Sequence, residues 1–187
     1  MIETINELFE FIKNPVLGKD ENTKFIYRLK KFFSIFIISL ITSFFFTMLI
    51  SLLEESGFIS TDKHSVEDLF KKLTALQFFI FAVVIAPLLE ETIFRAPLTL
   101  FKKKKAFKIS FYAFAIAFGF IHITNYEITK NILLFSPLLI APQIFAGFYF
   151  GFIRVKFGLV WSIALHATYN GFLFSLFILI KDAITQS

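Results

Sequence analysis

Two adjacent carboxylates, a guanidinium, two imidazoles and a carboxamide stand inside stretches of this chain that are otherwise apolar. Glu90 and Glu91 are followed by Arg95, His122 lies further on, and His166 is followed by Asn170. A charge at membrane depth costs about 3 kcal/mol on insertion scales, so three charged groups within six positions point to a function. On a helix Glu91 and Arg95 are i and i+4 and can pair. Glu90 sits about 100° away on the same helix, without that local partner. A carboxylate with spare acceptor capacity is what general-base chemistry needs. His166 and Asn170 share one helix face by the same spacing, as do Phe118 and His122. An acid, imidazoles and an amide meeting at one point can activate a water and hold a developing oxyanion.

The elements that carry these groups are apolar enough to cross a membrane. The 187 residues are 57% hydrophobic, include 30 Phe, and have a mean hydropathy of +0.74. That exceeds the usual composition of a soluble domain and points to an all-α, polytopic membrane helix bundle. About five spans are expected: Phe32–Leu53, Ala75–Phe101, Phe107–Ile123, Asn131–Ile153 and Gly158–Ile180. Pro87 is expected to kink the second span one turn before Glu90. Gly147 and Gly151 have the spacing that permits close helix approach, and Gly119 permits the same near His122. Residues 1–31 form an N-terminal interfacial arm, with a short helix ending near Asn14-Pro15; residues 32–187 form the transmembrane domain.

Charge orients the bundle. Lys24–Lys31, Lys102–Lys108 and Arg154/Lys156 are basic clusters, whereas the Glu54–Asp68 and Thr124–Lys130 loops mix acid and base. Alternation around five spans then puts the N-terminus in the cytoplasm and the C-terminus outside. The net charge of +5 is accounted for by lipid-facing loops, which argues against nucleic acid as a partner. The chain has no Cys, which excludes disulfides and thiolate metal sites. His64, in a polar loop, is expected to have no catalytic role. The Lys- and Phe-rich, Cys-free composition points to a bacterial plasma membrane. Counted from the basic loops at about 1.5 Å per residue, Glu90 lies roughly 16 Å deep, His166 roughly 12 Å and His122 roughly 22 Å. His122 is thus expected about two turns too far out.

Glu90-Glu91-x-x-x-Arg95, Phe118-x-x-x-His122 and His166-x-x-x-Asn170 resemble the three motifs of the CPBP intramembrane proteases, the family of CAAX-processing endopeptidases and bacteriocin-processing or immunity proteins. The motif-bearing core runs from about residue 79 to 172. The chain is shorter than the eight-span prenyl-protein endopeptidases of the family, so their substrate is not carried over. The resemblance implies peptide-bond hydrolysis at the membrane, on a membrane-associated peptide or protein. Glu90 and His122 would activate water and His166 and Asn170 would stabilise the oxyanion. Glu91 and Arg95 would orient the Glu90 helix, Arg95 would hold a substrate carboxylate, and Phe118 would wall the cavity. The direct form needs no cofactor; the other form uses Zn²⁺ or another divalent metal on Glu90, His122 and His166. A catalytically idle immunity or scaffold protein, binding a bacteriocin-like peptide or partner through the same cavity, is the alternative. A small transporter or channel subunit is a third reading, disfavoured by the absence of repeats.

Overall fold

A computed structural model of the chain describes residues 1–60 and 72–186. His64 and most of the Glu54–Asp68 loop lie outside the described residues. Most of the described residues are helical, and five stretches are long and apolar enough to cross a membrane: Phe25–Glu55, Ala75–Leu100, Lys104–Asn125, Lys130–Phe157 and Leu159–Ile180. These match the five expected spans to within a few residues at most ends. The exception is the first, which starts at Phe25 and so carries Arg28, Lys30 and Lys31 on its first two turns.

Helix α1 (Ile2–Lys13) precedes the long helix α2 (Phe25–Glu55). The second span is composite: α3 (Ala75–Phe79), a π-helical segment (Ile80–Ile85), α4 (Ala86–Phe94) and a 3-10 turn (Ala96–Leu100). Thr74 and Gln77 cap its start reciprocally, each side chain accepting from the other's backbone N–H. Helix α5 (Lys104–Ile121) ends in a 3-10 turn over His122–Asn125. The fourth span breaks into α6 (Lys130–Leu139) and α7 (Ala141–Phe157), with Pro142 in the first turn of α7. Proline is tolerated there because the first-turn N–H has no intrahelical partner. Gly158 takes φ +105° between α7 and α8 (Leu159–Gln186), a conformation costly for a residue with a Cβ.

Where the sequence places a kink, the second span is irregular rather than a continuous α-helix. Pro87 lies in the first turn of α4, and the irregular geometry lies in the π segment just before it. A π turn is a one-residue widening of an α-helix, and such widenings concentrate at functional sites.

Helix α7 is the hub. Its residues Phe150, Phe152, Ile153 and Val155 are buried in the main core with Phe107 and Phe111 of α5 and Leu165 of α8. The small residues of α7 set its distance from α5. A Cβ on Gly147 would lie 3.0 Å from the Ala115 Cα, and one on Gly151 would lie 2.8 Å from the Phe111 ring. A Cβ on Gly119 would collide with Ile144 of α7. The expectation of close helix approach at all three glycines therefore holds. Helix α2 instead shows Ile41, Phe44, Met48 and Leu52 on an exposed stripe, the face a spanning helix gives to lipid.

The N-terminal helix docks on the bundle. Thr4, Leu8 and Phe11 form its buried stripe, and the Phe11 ring packs edge-on against Phe111 at 5.2 Å and Phe152 at 5.3 Å. Lys31 is buried between Glu7 and Asp20, and Lys156 lies 3.5 Å from Glu7. Asp20 is the loop's anchor. Burial pushes its carboxyl upward, but hydrogen bonds from the Asn22 backbone N–H, the Tyr27 hydroxyl and the Lys31 ammonium outweigh this and hold it below the usual carboxylate range. A carboxylate depressed in the folded state contributes stability above its unfolded value of about 3.9, and that contribution is lost as pH falls through the folded value. Acidification below about pH 4 is therefore expected to loosen this corner. The single Trp, Trp161, packs 5.9 Å from both Phe32 and Phe157 and reports the change as fluorescence. Asp20→Asn should flatten the acid limb; an unchanged acid titration in that variant would show that another group controls it.

Candidate active site

Glu91, not Glu90, is the centre of the buried polar cluster. Pro87, Glu91, Phe94 and Leu98 form the buried stripe of α4 and its 3-10 extension, while Leu88, Leu89 and Ile93 face outward. Glu91 is 0% exposed. Its Oε1 lies 3.0 Å from His166 Nδ1 and 3.3 Å from Arg95 Nη1, and its Oε2 accepts from the Ser162 hydroxyl. Both oxygens are thus occupied by protein partners. The pairing of Glu91 with Arg95 is the i, i+4 contact expected from spacing.

Arg95 is sealed in. It is 1% exposed, its guanidinium lies 3.9 Å from the Phe118 ring centre, and among the described residues its Nη atoms have no hydrogen-bond partner beyond the ion pair with Glu91. The charge is offset by Glu91 and by the aromatic face. Arg95 is absent from the cavity wall, so the expectation that it holds a substrate carboxylate is not met in this arrangement; the guanidinium is spent on Glu91. Arg154 of α7, expected in a basic loop, instead closes the C-terminal end of α4. It donates to the Arg95 and Ala96 carbonyls at 3.0 and 3.3 Å and to Thr99 Oγ1 at 2.9 Å. A cation there complements the helix dipole.

A cavity of about 400 Å³ lies beside this cluster, its wall including Phe118, His122, Gln143, Phe150, His166 and Asn170. His122 and His166 therefore share one chamber despite the two-turn depth difference counted along the sequence. The reason is that the chamber is elongated along the spans, and Phe118 bridges the two rings, 4.8 Å from His122 and 5.8 Å from His166. Phe150 stacks on His166 at 4.6 Å.

The hydrogen bonds fix the ring tautomers. His122 Nδ1 lies 2.7 Å from the Phe118 carbonyl oxygen. A carbonyl only accepts, so Nδ1 carries the proton, and Nε2 of the neutral ring is an acceptor. His166 Nδ1 likewise donates to Glu91, and its Nε2 faces Glu90 Oε2 across 3.7 Å, within ion-pair range and beyond a direct hydrogen bond. Asn170 donates through Nδ2 to the Ala82 carbonyl at 2.8 Å, within the π segment, and its second amide hydrogen remains.

Glu90 is the carboxylate with capacity to spare. Its side chain is 24% exposed, and among the described residues its partner within ion-pair distance is His166. It is not part of the cavity wall and stands at the chamber's edge beside His166. Among the described residues no three His, Asp or Glu side chains are grouped to hold a metal ion.

Ser162 and Gln143 escaped assignment from the sequence. Ser162 is four residues before His166, the spacing that put it on the same face; its one hydroxyl hydrogen is shared between Glu91 and the Phe150 carbonyl, tying α8 to both α4 and α7. Gln143 is an amide in an apolar span, and its buried Oε1 has no hydrogen-bond partner among the described residues.

The model of the family described as type II CAAX prenyl endopeptidase Rce1-like matches residues 72–172, more than half of the chain. No curated protein and no solved structure matches it.

Proposed function

Because the chain belongs to the type II CAAX prenyl endopeptidase Rce1-like family, we propose that it hydrolyses a peptide bond of a membrane-associated peptide or protein with Glu90 as general base. The observation that carries this is the division of labour between the two carboxylates. Glu91 is saturated by His166, Ser162 and Arg95, while Glu90 stands 3.7 Å from His166 Nε2 at the chamber's edge. The family and five apolar helices make it an integral membrane protease of CAAX type. The basic clusters orient it with the N-terminus in the cytoplasm and the C-terminus outside, as in a bacterial plasma membrane.

In this mechanism a water lies between Glu90 and the imidazoles. Its oxygen forms the bond to the scissile carbonyl carbon, and Glu90 takes its proton. His122 accepts from the water through Nε2. The negative charge passes to the carbonyl oxygen, where the second amide hydrogen of Asn170 donates. His166 donates there through Nε2 when that nitrogen is also protonated, with Glu91 as its counter-ion. Collapse breaks the C–N bond, and the proton held by Glu90 goes to the leaving amine. Phe118 and Phe150 limit the water that enters, which strengthens each of these interactions.

Purified protein in detergent or liposomes, given a membrane-associated peptide with and without a prenyl group, tests the reading. Wild type should release two fragments, and Asn170→Ala should slow release by about 10²–10³ as expected for loss of one oxyanion donor. Metal analysis of the same sample, with cleavage repeated after chelation, separates the direct form from the metal form. Binding of the peptide without fragments would favour the immunity or scaffold alternative.

A further inference from the structure

We propose that the groove between α1, α2 and α7 binds a phospholipid with an anionic headgroup, its acyl chain in the groove and its phosphate at Lys13. The site does not depend on the hydrolase reading, and α1 and α2 lie outside residues 72–172, which the family model matches. The groove has a volume of about 480 Å³, and its wall includes Ile5, Leu8 and Ile12 of α1, Ile38 and Ile41 of α2, and Phe145 of α7. It lies at the level of acyl chains. Ile38 to Thr42 are about 10–17 Å along α2 beyond Lys31, and Phe145 is about 18 Å before the end of α7 at Phe157. The uncharged polar groups on the wall, the Thr42 and Tyr149 hydroxyls, pair with each other at 2.9 Å. An alkyl chain fits such a wall, whereas a peptide would leave its N–H and C=O groups unpaired there.

Charge selects the headgroup. Among the described residues Lys13 is the charged side chain on the wall, and its ammonium lies 5.0 Å from the ring centre of Phe9. The stem is thus laid along the apolar surface with the charge at its edge. Lys108 stands beside it, its Nζ 3.3 Å from Oδ1 of Asn14, with no carboxylate partner among the described residues. The nearby carboxylates are already engaged. Glu7 is held by Lys31 and Lys156, and Glu10 pairs with Lys13 at 3.0 Å, both side chains of that pair being more than half exposed. A pair so open to water is weak and leaves the ammonium able to take a phosphate. The last carbonyls of α1 would repel an anion, but those of Ile12 and Lys13 accept from the Tyr112 hydroxyl at 2.7 and 3.1 Å. Two cations against one exposed carboxylate leave this edge net positive, the condition that draws an anionic lipid.

Fluorescence quenching by brominated lipid tests this on the whole chain, because the protein has a single Trp. Trp161→Phe with Phe145→Trp moves the indole to the groove wall, and Ile41→Trp, on the same wall, repeats the measurement should the first variant unfold. Trp161→Phe with Ile116→Trp is the control, at an exposed position of α5 about 18 Å from Lys104. Phosphatidylglycerol and phosphatidylcholine carrying brominated acyl chains are compared at equal mole fraction. The groove reporter should prefer phosphatidylglycerol by about fivefold, the weight of one lysine beside an anionic lipid, and the control should show no preference. Lys13→Gln should abolish the preference, while Lys30→Gln, on the wall of a different groove, should leave it. Equal quenching by the two lipids, a preference that survives Lys13→Gln, or one lost equally in Lys30→Gln would overturn the proposal. Relief of the quenching by a farnesylated peptide would give the groove to a substrate's own lipid and overturn it too. None of these readouts needs cleavage, so a protein that cuts nothing would leave the lipid site standing.

Discussion

Glu90→Gln is expected to reduce peptide cleavage by about 10²–10⁴ while the protein stays folded in the membrane, because the amide keeps the shape of the side chain and cannot take a proton from water. The structural cost should be small. Glu90 is the partly exposed member of the pair, and its 3.7 Å contact with His166 survives as a neutral one. His122→Ala should be nearly as damaging, since it removes the Nε2 acceptor that faces the chamber while the rest of α5 keeps its packing. Initial rates of fragment release, with the thermal unfolding of each variant recorded alongside, decide the matter. Near-normal cleavage in either variant would remove that residue from the chemistry.

Glu91→Ala should fail in the opposite way, through the fold. Removing that carboxylate strands Arg95, which is 1% exposed and among the described residues has no hydrogen-bond partner for its Nη atoms beyond the ion pair with Glu91, and frees Ser162 and His166 of α8. Breaking a buried ion pair by deleting one partner costs about 3–5 kcal/mol. The loss should appear as an earlier unfolding transition in detergent. Replacing both partners, as Glu91→Leu with Arg95→Met, should recover part of it, because no isolated charge is then buried. A Glu91→Ala protein that unfolds at the wild-type temperature would mean that Arg95 finds another counter-charge. The contrast between the two adjacent carboxylates separates chemistry from support: one variant is stable and inactive, the other unstable.

Much of this was legible before any coordinates. The spans follow from length and hydropathy, the Glu91–Arg95 pair from i, i+4 spacing, and the close packing at Gly119, Gly147 and Gly151 from the absence of a side chain. The same spacing leaves Glu90 without a local partner, but which side of its helix meets the bundle was not legible. In a soluble helix the polar face points to water and the apolar face inward, but in a membrane both faces are apolar. Hydropathy therefore gives Leu88, Leu89 and Ile93 the same score as Phe94 and Leu98, although the first three face outward and the last two are buried. The buried stripe through Pro87, Glu91, Phe94 and Leu98 was present as a period, yet nothing in the letters said which side of it met the bundle. Depth counting misplaced His122 for a related reason: it treats a site as a single level, whereas the chamber runs lengthwise between the spans. The Arg154 clamp on the end of α4 also depends on how α7 crosses that end, which no local spacing encodes.

The widened turn at Ile80–Ile85 acts as a phase shifter. One residue more than a regular turn rotates everything before it by about 100° relative to everything after it. Phe78, which lines the chamber, and Glu90 and Glu91, which carry the charge, therefore belong to two differently clocked halves of one span. Asn170 grips the Ala82 carbonyl at that seam, and so locks the relative clocking of the halves from the neighbouring helix. A chain shortened by one residue within the seam would keep all three motifs letter for letter and still turn the Phe78 side of the chamber wall away from the imidazoles. Motif identity and site geometry are thus separable here, and the seam is where they part.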